Sequence, residues 1–177
     1  MIDTIIFDLD GVIVSTDHYH YLAWKSLADE LHIPFDQKDN ERLRGVSRME
    51  SLEIILEKST ETYTDDQKKD FAQKKNTLYQ EYLRNMTPED LSSEVKETLE
   101  NLRTKGFKLA VGSSSKNTML ILKQIGLDHF FDAISDGTMI EYSKPHPEVF
   151  LLAAKKLGIN PKECLVVEDA EAGCIAA

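Results

Sequence analysis

In the second half of the chain, apolar stripes at helical spacing end at glycines, and a short apolar run follows each stripe. The glycines are Gly106, Gly126 and Gly158. Because glycine adopts the left-handed conformation that ends a helix, each stripe is predicted to be a helix. The apolar runs are predicted to be strands, over residues 108–112, 133–135 and 165–167. This alternation is typical of a parallel sheet with helices packed on it.

A fourth strand is predicted near the N-terminus, where Thr4-Ile5-Ile6-Phe7 precedes a long stretch of helical character. The lysines and acids of the last helix in that stretch are expected to form a solvated face. Thr87-Pro88-Glu89-Asp90 indicates a hinge after it. We therefore predict an α/β fold, with a Rossmann-like parallel-sheet core of residues 1–14 and 87–177 and an inserted all-helical cap of residues 15–86.

Polar side chains follow each predicted strand, directly or further along the connecting loop. They are Asp8 and Asp10; Ser113-Ser114-Ser115-Lys116-Asn117; Ser143-Lys144-Pro145; and Glu168 and Asp169. Because the carboxyl ends of parallel strands lie at one edge of a sheet, these groups are expected to converge. Paired carboxylates need a cation or a shared proton, while hydroxyl and ammonium groups bind phosphate oxygens. The pattern predicts phosphoryl transfer to a carboxylate, with a hard divalent metal.

Some of these residues have simpler interpretations when each is taken alone. Asp8 and Asp10 could cap the turn before Gly11, and Lys144 could be a surface lysine in a loop that contains proline. Four polar clusters at four consecutive strand ends are harder to explain as loop stabilisation. The catalytic interpretation is therefore favoured.

The charge and the N-terminus narrow the classes of protein that fit. The formal net charge of -10 argues against a general nucleic-acid binder, so a phosphate substrate would need a local basic cluster. The first apolar run is too short for a signal peptide or a membrane span. A cytoplasmic protein with no nucleic-acid or membrane partner is expected. Cys164 and Cys174 form no C-x-x-C pair and are expected to stay reduced.

Taken together, the four polar clusters resemble the motifs of the haloacid dehalogenase superfamily of phosphotransferases. Two segments, Leu43-Arg44-Gly45-Val46-Ser47-Arg48 and Ser115-Lys116-Asn117, make the chain most similar to the β-phosphoglucomutase family within it. This resemblance implies reversible interconversion of β-D-glucose 1-phosphate and glucose 6-phosphate, through an aspartyl phosphate and a sugar bisphosphate. The implied partner is a phosphorylated hexose, and a monomer is expected.

The resemblance also implies roles for residues of the core. Asp8 would be the nucleophile and Asp10 the general acid and base for the sugar hydroxyl. Ser113 and Lys144 would bind the oxygens of the transferring phosphoryl group. The implied cofactor is Mg²⁺, which prefers oxygen ligands. Its ligands would be the carboxylates of Asp8 and Asp169 and the backbone carbonyl of Asp10, with Glu168 supporting the site.

A second set of residues would bind the sugar and its other phosphate. Arg48 is the best candidate for the non-reacting phosphate, since a guanidinium group matches two phosphate oxygens at once. Ser115, Lys116 and Asn117 would complete that site, although Ser115 and Asn117 could also be ordinary helix caps. Thr16 and His20 are further catalytic candidates, and His20 could hydrogen-bond near Asp10 and time its proton transfer. Lys75 is a candidate for the phosphate site of the cap, and the remaining substrate-binding candidates are Trp24, Arg44, Gly45, Val46 and Ser47. A single histidine such as His20 could equally be structural.

Two other functions share most of these residues. A sugar-phosphate phosphatase of the same superfamily would use the same core residues, and only the cap segment from Arg44 to Arg48 discriminates, because a mutase needs a second anion site. A non-catalytic or truncated sugar-phosphate binder is the other alternative. It is suggested by the sequence ending soon after Gly173, where the family continues with further core strands, so the core is expected to be incomplete at its C-terminus.

Overall fold

The computed structural model describes residues 2–44 and 46–177. The chain forms two compact units. One consists of the N-terminal residues up to Ser15 together with Arg84–Ala177, and the other consists of Thr16–Leu83. We call them the sheet unit and the helical unit.

The sheet unit contains a parallel sheet, as the sequence predicts. Its strands are β1 Thr4–Phe7, β2 Lys108–Gly112, β3 Ala133–Ser135 and β4 Cys164–Val167. The strand order is β3-β2-β1-β4, and every neighbouring pair is parallel. The fold-class prediction is confirmed, and β1 is the strand hydrogen-bonded to both β2 and β4.

Eight helices are described along the chain, four in each unit. In chain order they are α1 Asp17–Glu30, α2 Gln37–Glu41, α3 Arg48–Leu56, α4 Asp65–Leu83, α5 Ser93–Thr104, α6 Thr118–Gln124, α7 Glu148–Leu157 and α8 Glu171–Ala176. Short 3₁₀ turns lie at Pro88–Asp90 and Pro161–Glu163. None of the described helices combines the length and apolar character needed to cross a bilayer.

Helix α7 covers one face of the sheet, and this packing fixes where its first turn lies. Val149, Phe150 and Ala153 are buried together with Ile6 of β1 and Ala110 of β2. Ile6 and Ala110 are partners in the register of β1 and β2, so their side chains point to the same face. The helix ends at a left-handed glycine, as predicted.

The helical unit has its own apolar core. Trp24 and Leu27 of α1 pack there with Leu52 and Ile55 of α3, and Ala72 of α4 closes the cluster. The helical unit therefore buries its own apolar surface.

One expectation about α4 is wrong in part. Its charged residues were expected to form a solvated face, and most of them do so. Lys75 and Asn76, however, are only 2% and 8% exposed. A buried lysine needs polar or aromatic partners, and two of those of Lys75, His20 and Trp24, belong to α1, so the local sequence could not indicate them.

Candidate active site

Strand β1 delivers the first predicted site residue, Asp8, into the sheet unit's interior. The Asp8 backbone N–H donates to the carbonyl of Val167 at 2.9 Å, so the ladder between β1 and β4 continues to this residue. The side chain is 9% exposed. A carboxylate in this position is held by the backbone on a rigid strand and is shielded from water.

Lys144 supplies the positive charge next to Asp8. Its Nζ donates to Asp8 Oδ1 at 2.5 Å and to Glu168 Oε2 at 2.6 Å. The same ammonium lies 4.6 Å from the centre of the Phe150 ring. Its side chain is only 6% exposed, so this lysine is not a surface residue of its loop.

The charge balance around Asp8 is unfavourable to its ionised form. Burial raises the pKa of Asp8 to about 7, and the nearby charges of Glu168 and Asp10 also raise it. The charge and hydrogen bond of Lys144 lower it, but they do not offset burial. One ammonium is thus shared between two acids, and further positive charge here would favour the carboxylate.

The chemistry of the donor set fits such a cation. Asp8, Glu168 and Asp169 each place a carboxylate oxygen within 4.8 Å of the other two. Oxygen donors of this kind suit Mg²⁺, which keeps several waters. The predicted ligands Asp8 and Asp169 therefore lie together with Glu168. Asp10 is half-buried in the segment after β1. Its proposed contribution to the metal site is its backbone carbonyl and not its side chain.

Two glycines allow the acids to approach the backbone this closely. A Cβ on Gly11, which has φ +84°, would lie 2.2 Å from Asp169 Oδ2, and a Cβ on Gly173 would lie 2.0 Å from Glu168 Cδ. Neither distance is possible for a real side chain. Any residue larger than glycine at these positions must displace a carboxylate of the cluster.

The loop after β2 is organised by its own hydroxyl groups. Ser113 Oγ accepts from the backbone N–H of Ser115 at 3.1 Å, and Ser115 Oγ accepts from that of Asn117 at 3.2 Å. Ser113 and Asn117 are buried, whereas Lys116 is exposed. Asn117 is the N-cap residue of α6 but makes no side-chain cap hydrogen bond. The Ser115 hydroxyl therefore stabilises a turn before α6, and neither Ser115 nor Asn117 caps the helix with its side chain.

In the helical unit, three of the predicted residues form one polar cluster with Tyr79. Thr16 Oγ1 lies 2.8 Å from the Tyr79 hydroxyl, and Lys75 Nζ lies 2.8 Å from His20 Nδ1. The His20 ring stacks on Tyr79 with centroids 4.0 Å apart. Lys75 Nζ also lies over the ring of Trp24, at 4.7 Å from its centre. This cation–π contact, with a second one to the Tyr79 ring at 4.5 Å, helps to compensate for burial of the ammonium.

The same cluster holds His20 in its neutral form. Desolvation lowers the pKa of His20 well below its usual range, and the cations Lys75 and Arg48 act in the same direction. His20 therefore remains a hydrogen-bonding group without charge at neutral pH.

The predicted sugar-binding segment after α2 is described on both sides of Gly45, which itself lies outside the described residues. Arg44 donates to Asp17 Oδ2 at 2.6 Å on the surface. Ser47 is the N-cap of α3, and its Oγ accepts a backbone N–H of the first turn. Val46 lies half-buried between them. Ser47 thus has a structural role regardless of any ligand.

Arg48 is the first residue of α3 and is half-buried. Desolvation lowers the pKa of its guanidinium, while the neighbouring Tyr79 opposes that shift. A guanidinium group stays protonated at neutral pH even so. A charged group in partly dehydrated surroundings attracts anions more strongly than one in bulk water.

Ser114 and Asp136 of the sheet unit have no assigned role in the predicted site. Ser114 Oγ accepts from the backbone N–H of Lys144 at 3.4 Å. Asp136 is 3% exposed and accepts from both the backbone N–H and the hydroxyl of Thr138. Asp136 directly follows β3, so the strand-end rule that selected Asp8 would also have selected it.

A haloacid dehalogenase-like hydrolase family model matches residues 2–177. The chain belongs to this family. The resemblance seen in its sequence motifs is thus confirmed.

Three proteins of known type show which enzymes of this family are similar to the chain. A β-phosphoglucomutase from Bacillus subtilis is 44% identical over 174 residues, which cover 97% of this chain and 77% of that protein. A phosphorylated carbohydrates phosphatase from Thermotoga maritima is 28% identical, over 99% of this chain and 80% of that protein. The crystal structure of a β-phosphoglucomutase from Clostridium difficile matches 99% of this chain and 80% of its own, with a TM-score of 0.91 and 41% identity. Within the family, the chain is therefore similar to enzymes of both kinds.

Proposed function

We propose that this protein is a hexose-phosphate mutase that interconverts β-D-glucose 1-phosphate and glucose 6-phosphate. The observation that carries its phosphoryl-transfer step is the buried contact of Lys144 with Asp8 at the end of β1. The 44% identity to the Bacillus subtilis β-phosphoglucomutase supports the same reaction.

In the proposed reaction, a carboxylate oxygen of Asp8 attacks the phosphorus atom of a sugar bisphosphate. The bond from phosphorus to the sugar oxygen breaks, and Asp10 gives its proton to that oxygen. In the return step, Asp10 removes a proton from the sugar hydroxyl that attacks the aspartyl phosphate, and the Asp8 carboxylate is restored. General acid–base help of this kind contributes about 10²- to 10⁴-fold to a rate.

Lys144 and Ser113 support the reacting group. The Lys144 ammonium favours the ionised nucleophile and neutralises charge on the phosphoryl oxygens, while the Ser113 hydroxyl donates to one of them. Asp8, the Asp10 carbonyl and Asp169 would hold Mg²⁺, with Glu168 beside them, and the ion would reduce repulsion between the anionic nucleophile and the phosphate. These roles of the predicted core residues remain proposals.

The helical unit is proposed to bind the rest of the substrate. Arg48 would bind the non-transferring phosphate. Arg44, Gly45, Val46, Ser47 and Trp24 would contact the sugar, and Lys75 would add to the phosphate site. Thr16 and His20 would assist catalysis. A mutase needs such a second anion site because its intermediate carries two phosphates.

A sugar-phosphate phosphatase is the second candidate, favoured by the similarity to the Thermotoga maritima phosphatase. It would form the same aspartyl phosphate but transfer the group to water. The two reactions therefore differ in their acceptor rather than in their core residues.

A coupled assay separates these functions. The protein is primed with a glucose bisphosphate and given β-glucose 1-phosphate with Mg²⁺, and both glucose 6-phosphate and inorganic phosphate are measured. A mutase produces glucose 6-phosphate much faster than phosphate, and Asp8→Asn abolishes both products. Phosphate release without isomerisation would establish the phosphatase, and no turnover of either kind would contradict both candidates.

A further inference from the structure

Lys144 lies in a long loop, and the contacts of that loop decide where its ammonium can lie. The loop covers residues 136–147 between β3 and α7, and we call it the lysine loop. Its start is anchored because the backbone N–H of Gly137 donates to the carbonyl of Ser115 at 3.1 Å. Near its end, the backbone N–H of Lys144 donates to Ser114 Oγ at 3.4 Å, which is a long hydrogen bond.

The middle of the lysine loop is held by a carboxylate on α7. Glu148 Oε2 accepts from the backbone N–H of Tyr142 at 2.8 Å, and both of its carboxylate oxygens lie 3.1 Å from the N–H of Glu141. Within residues 2–44 and 46–177, these are the only hydrogen bonds from outside the loop to the backbone of residues 140–143. The same bonds lower the pKa of Glu148, so its carboxylate is ionised at neutral pH.

Packing of helix α7 against the sheet fixes the position of Glu148. Glu148 is its first residue, and Val149, Phe150 and Ala153 next to it are buried against the sheet. Phe150 also lies under the Lys144 ammonium. The first turn of α7 therefore contacts both the backbone of the loop and the side chain that the loop carries.

We propose that Glu148 is a positioning residue for Lys144. Its carboxylate fixes the backbone of Glu141 and Tyr142, and the fixed loop places the Lys144 ammonium against Asp8 and Glu168. This inference rests on the proposed function only in that Lys144 then serves phosphoryl transfer. The position of the ammonium can be measured without any turnover.

The test measures exposure of Lys144 and catalysis in the same variants. Each protein is treated with limiting acetic anhydride, and acetylation of Lys144 is compared by mass spectrometry with that of exposed Lys105. Glu148→Ala is expected to increase acetylation of Lys144 several-fold while Lys105 is unchanged. It should lower kcat for glucose 6-phosphate formation by roughly tenfold with little change in KM, less than the loss of a direct charge-stabilising donor costs.

Two further variants separate positioning from general effects. Glu148→Gln keeps an oxygen that accepts the backbone N–H groups, so both readouts should stay near those of the wild type. Glu94→Ala removes an acid from the first turn of α5, where its carboxylate makes no hydrogen bond to another described residue, and should change neither readout. The control matters because an acid in a first turn also stabilises its helix through the dipole.

The remaining outcomes contradict the proposal. Unchanged Lys144 acetylation and kcat in Glu148→Ala would show that the carboxylate does not place the lysine. Equal effects of Ala and Gln would assign them to the charge, and equal rises at Lys144 and Lys105 would assign them to general unfolding. If the wild type lacks activity on hexose phosphates, the proposed function fails, but the acetylation result still decides the role of Glu148.

Discussion

At the scale of single residues, the sheet unit concentrates acids around one buried lysine. Lys144 contacts Asp8 and Glu168 together, so removing it would leave two buried carboxylates without their partner. Losing one partner of such a buried pair costs about 3–5 kcal/mol. Loss of activity in a Lys144 variant would therefore combine a catalytic defect with a loss of stability. Substitutions of less buried residues separate these two effects better.

Arg48 offers such a test of the second phosphate site. Arg48→Ala is expected to lower kcat/KM for the hexose bisphosphate by about 10²-fold or more, because a charged hydrogen-bonding partner of the phosphate is lost. Hydrolysis of a small phosphate ester should change little, since that substrate has no second phosphate. The measurement is kcat/KM for both substrates.

Arg42→Ala is the matched control for Arg48. Arg42 is an exposed arginine of the same unit that pairs with Glu57 at 2.7 Å, and its loss should affect neither substrate. Equal losses on both substrates in Arg48→Ala would show that Arg48 supports the structure instead of the phosphate.

His20 predicts a dependence of stability on pH. Its pKa is lowered in the folded protein, so below about pH 6.5 the unfolded chain binds a proton that folded His20 does not. The free energy of unfolding should therefore fall as the pH falls from 6.5, by at most about 1.4 kcal/mol per pH unit from this group. His20→Asn should remove that part of the dependence.

The measurement is urea unfolding at pH 7.5, 6.5 and 5.5 (roughly one unit either side of the ordinary pKa of histidine). His18→Asn, which changes an exposed histidine of the same helix, should follow the wild type. Parallel curves for the wild type and His20→Asn would mean that His20 protonates freely in the folded protein.

At the scale of elements, the carboxylates of the site lie where strands end and helices begin. Glycines without a Cβ leave room for them there. Glu168 follows β4, and α8 begins three residues later with Gly173 in its first turn. Because a Cβ at Gly173 would overlap the Glu168 side chain, the packing of α8 on this strand end requires glycine there. The position of the carboxylate is thus set by an element on each side of it.

Gly173→Ala is therefore expected to damage the site while leaving the fold intact. Alanine favours a helix by about 1 kcal/mol over glycine, but the added methyl group displaces Glu168 from Lys144. Affinity for Mg²⁺, measured by calorimetry, should fall. Gly158→Ala is the control, since a Cβ there meets nothing within 4 Å, and it should reduce stability without changing Mg²⁺ affinity. Unchanged affinity in Gly173→Ala would contradict the proposed role of Glu168.

The elements also show what the sequence could and could not predict. The strands predicted over 108–112 and 133–135 agree with β2 and β3, because short apolar runs bounded by helix-ending glycines leave little choice. Asp8, Lys144, Glu168 and Asp169 were predicted to converge because parallel strands share an edge. Burial of Lys75 and the hydrogen bonds of Glu148 to the lysine loop depend on contacts between separate elements. The hydrophobic periodicity of the sequence does not encode such contacts.

At the scale of the whole molecule, the formal net charge of -10 makes added cations favourable in general. Specific binding at the three-carboxylate cluster would go beyond this general effect. A ligand that binds only the folded protein stabilises it by about 2.7 kcal/mol at a concentration of 100 times its Kd. The cluster should therefore connect metal binding to stability.

Adding Mg²⁺ is expected to raise the Tm of the protein, and the chelator EDTA should reverse this change. Asp169→Asn should lose most of the shift, because one of the proposed carboxylate ligands becomes neutral. Asp66→Asn, which changes a 91% exposed acid on α4, should retain it. A shift that depends on ionic strength alone, and equally in all three proteins, would contradict a specific site. Turnover should stop in excess EDTA.

The central place of β1 has a consequence for the lifetime of the site. This strand is hydrogen-bonded on both sides, to β2 and to β4, so its amide hydrogens can exchange with solvent only when the sheet itself opens. The N–H of Asp8 belongs to the same ladder. Amide exchange of residues 5–8 should therefore be among the slowest in the protein, with rates set by global unfolding and not by local motion. Asp8, the proposed nucleophile, would then be among the last residues to lose their position as the protein is destabilised.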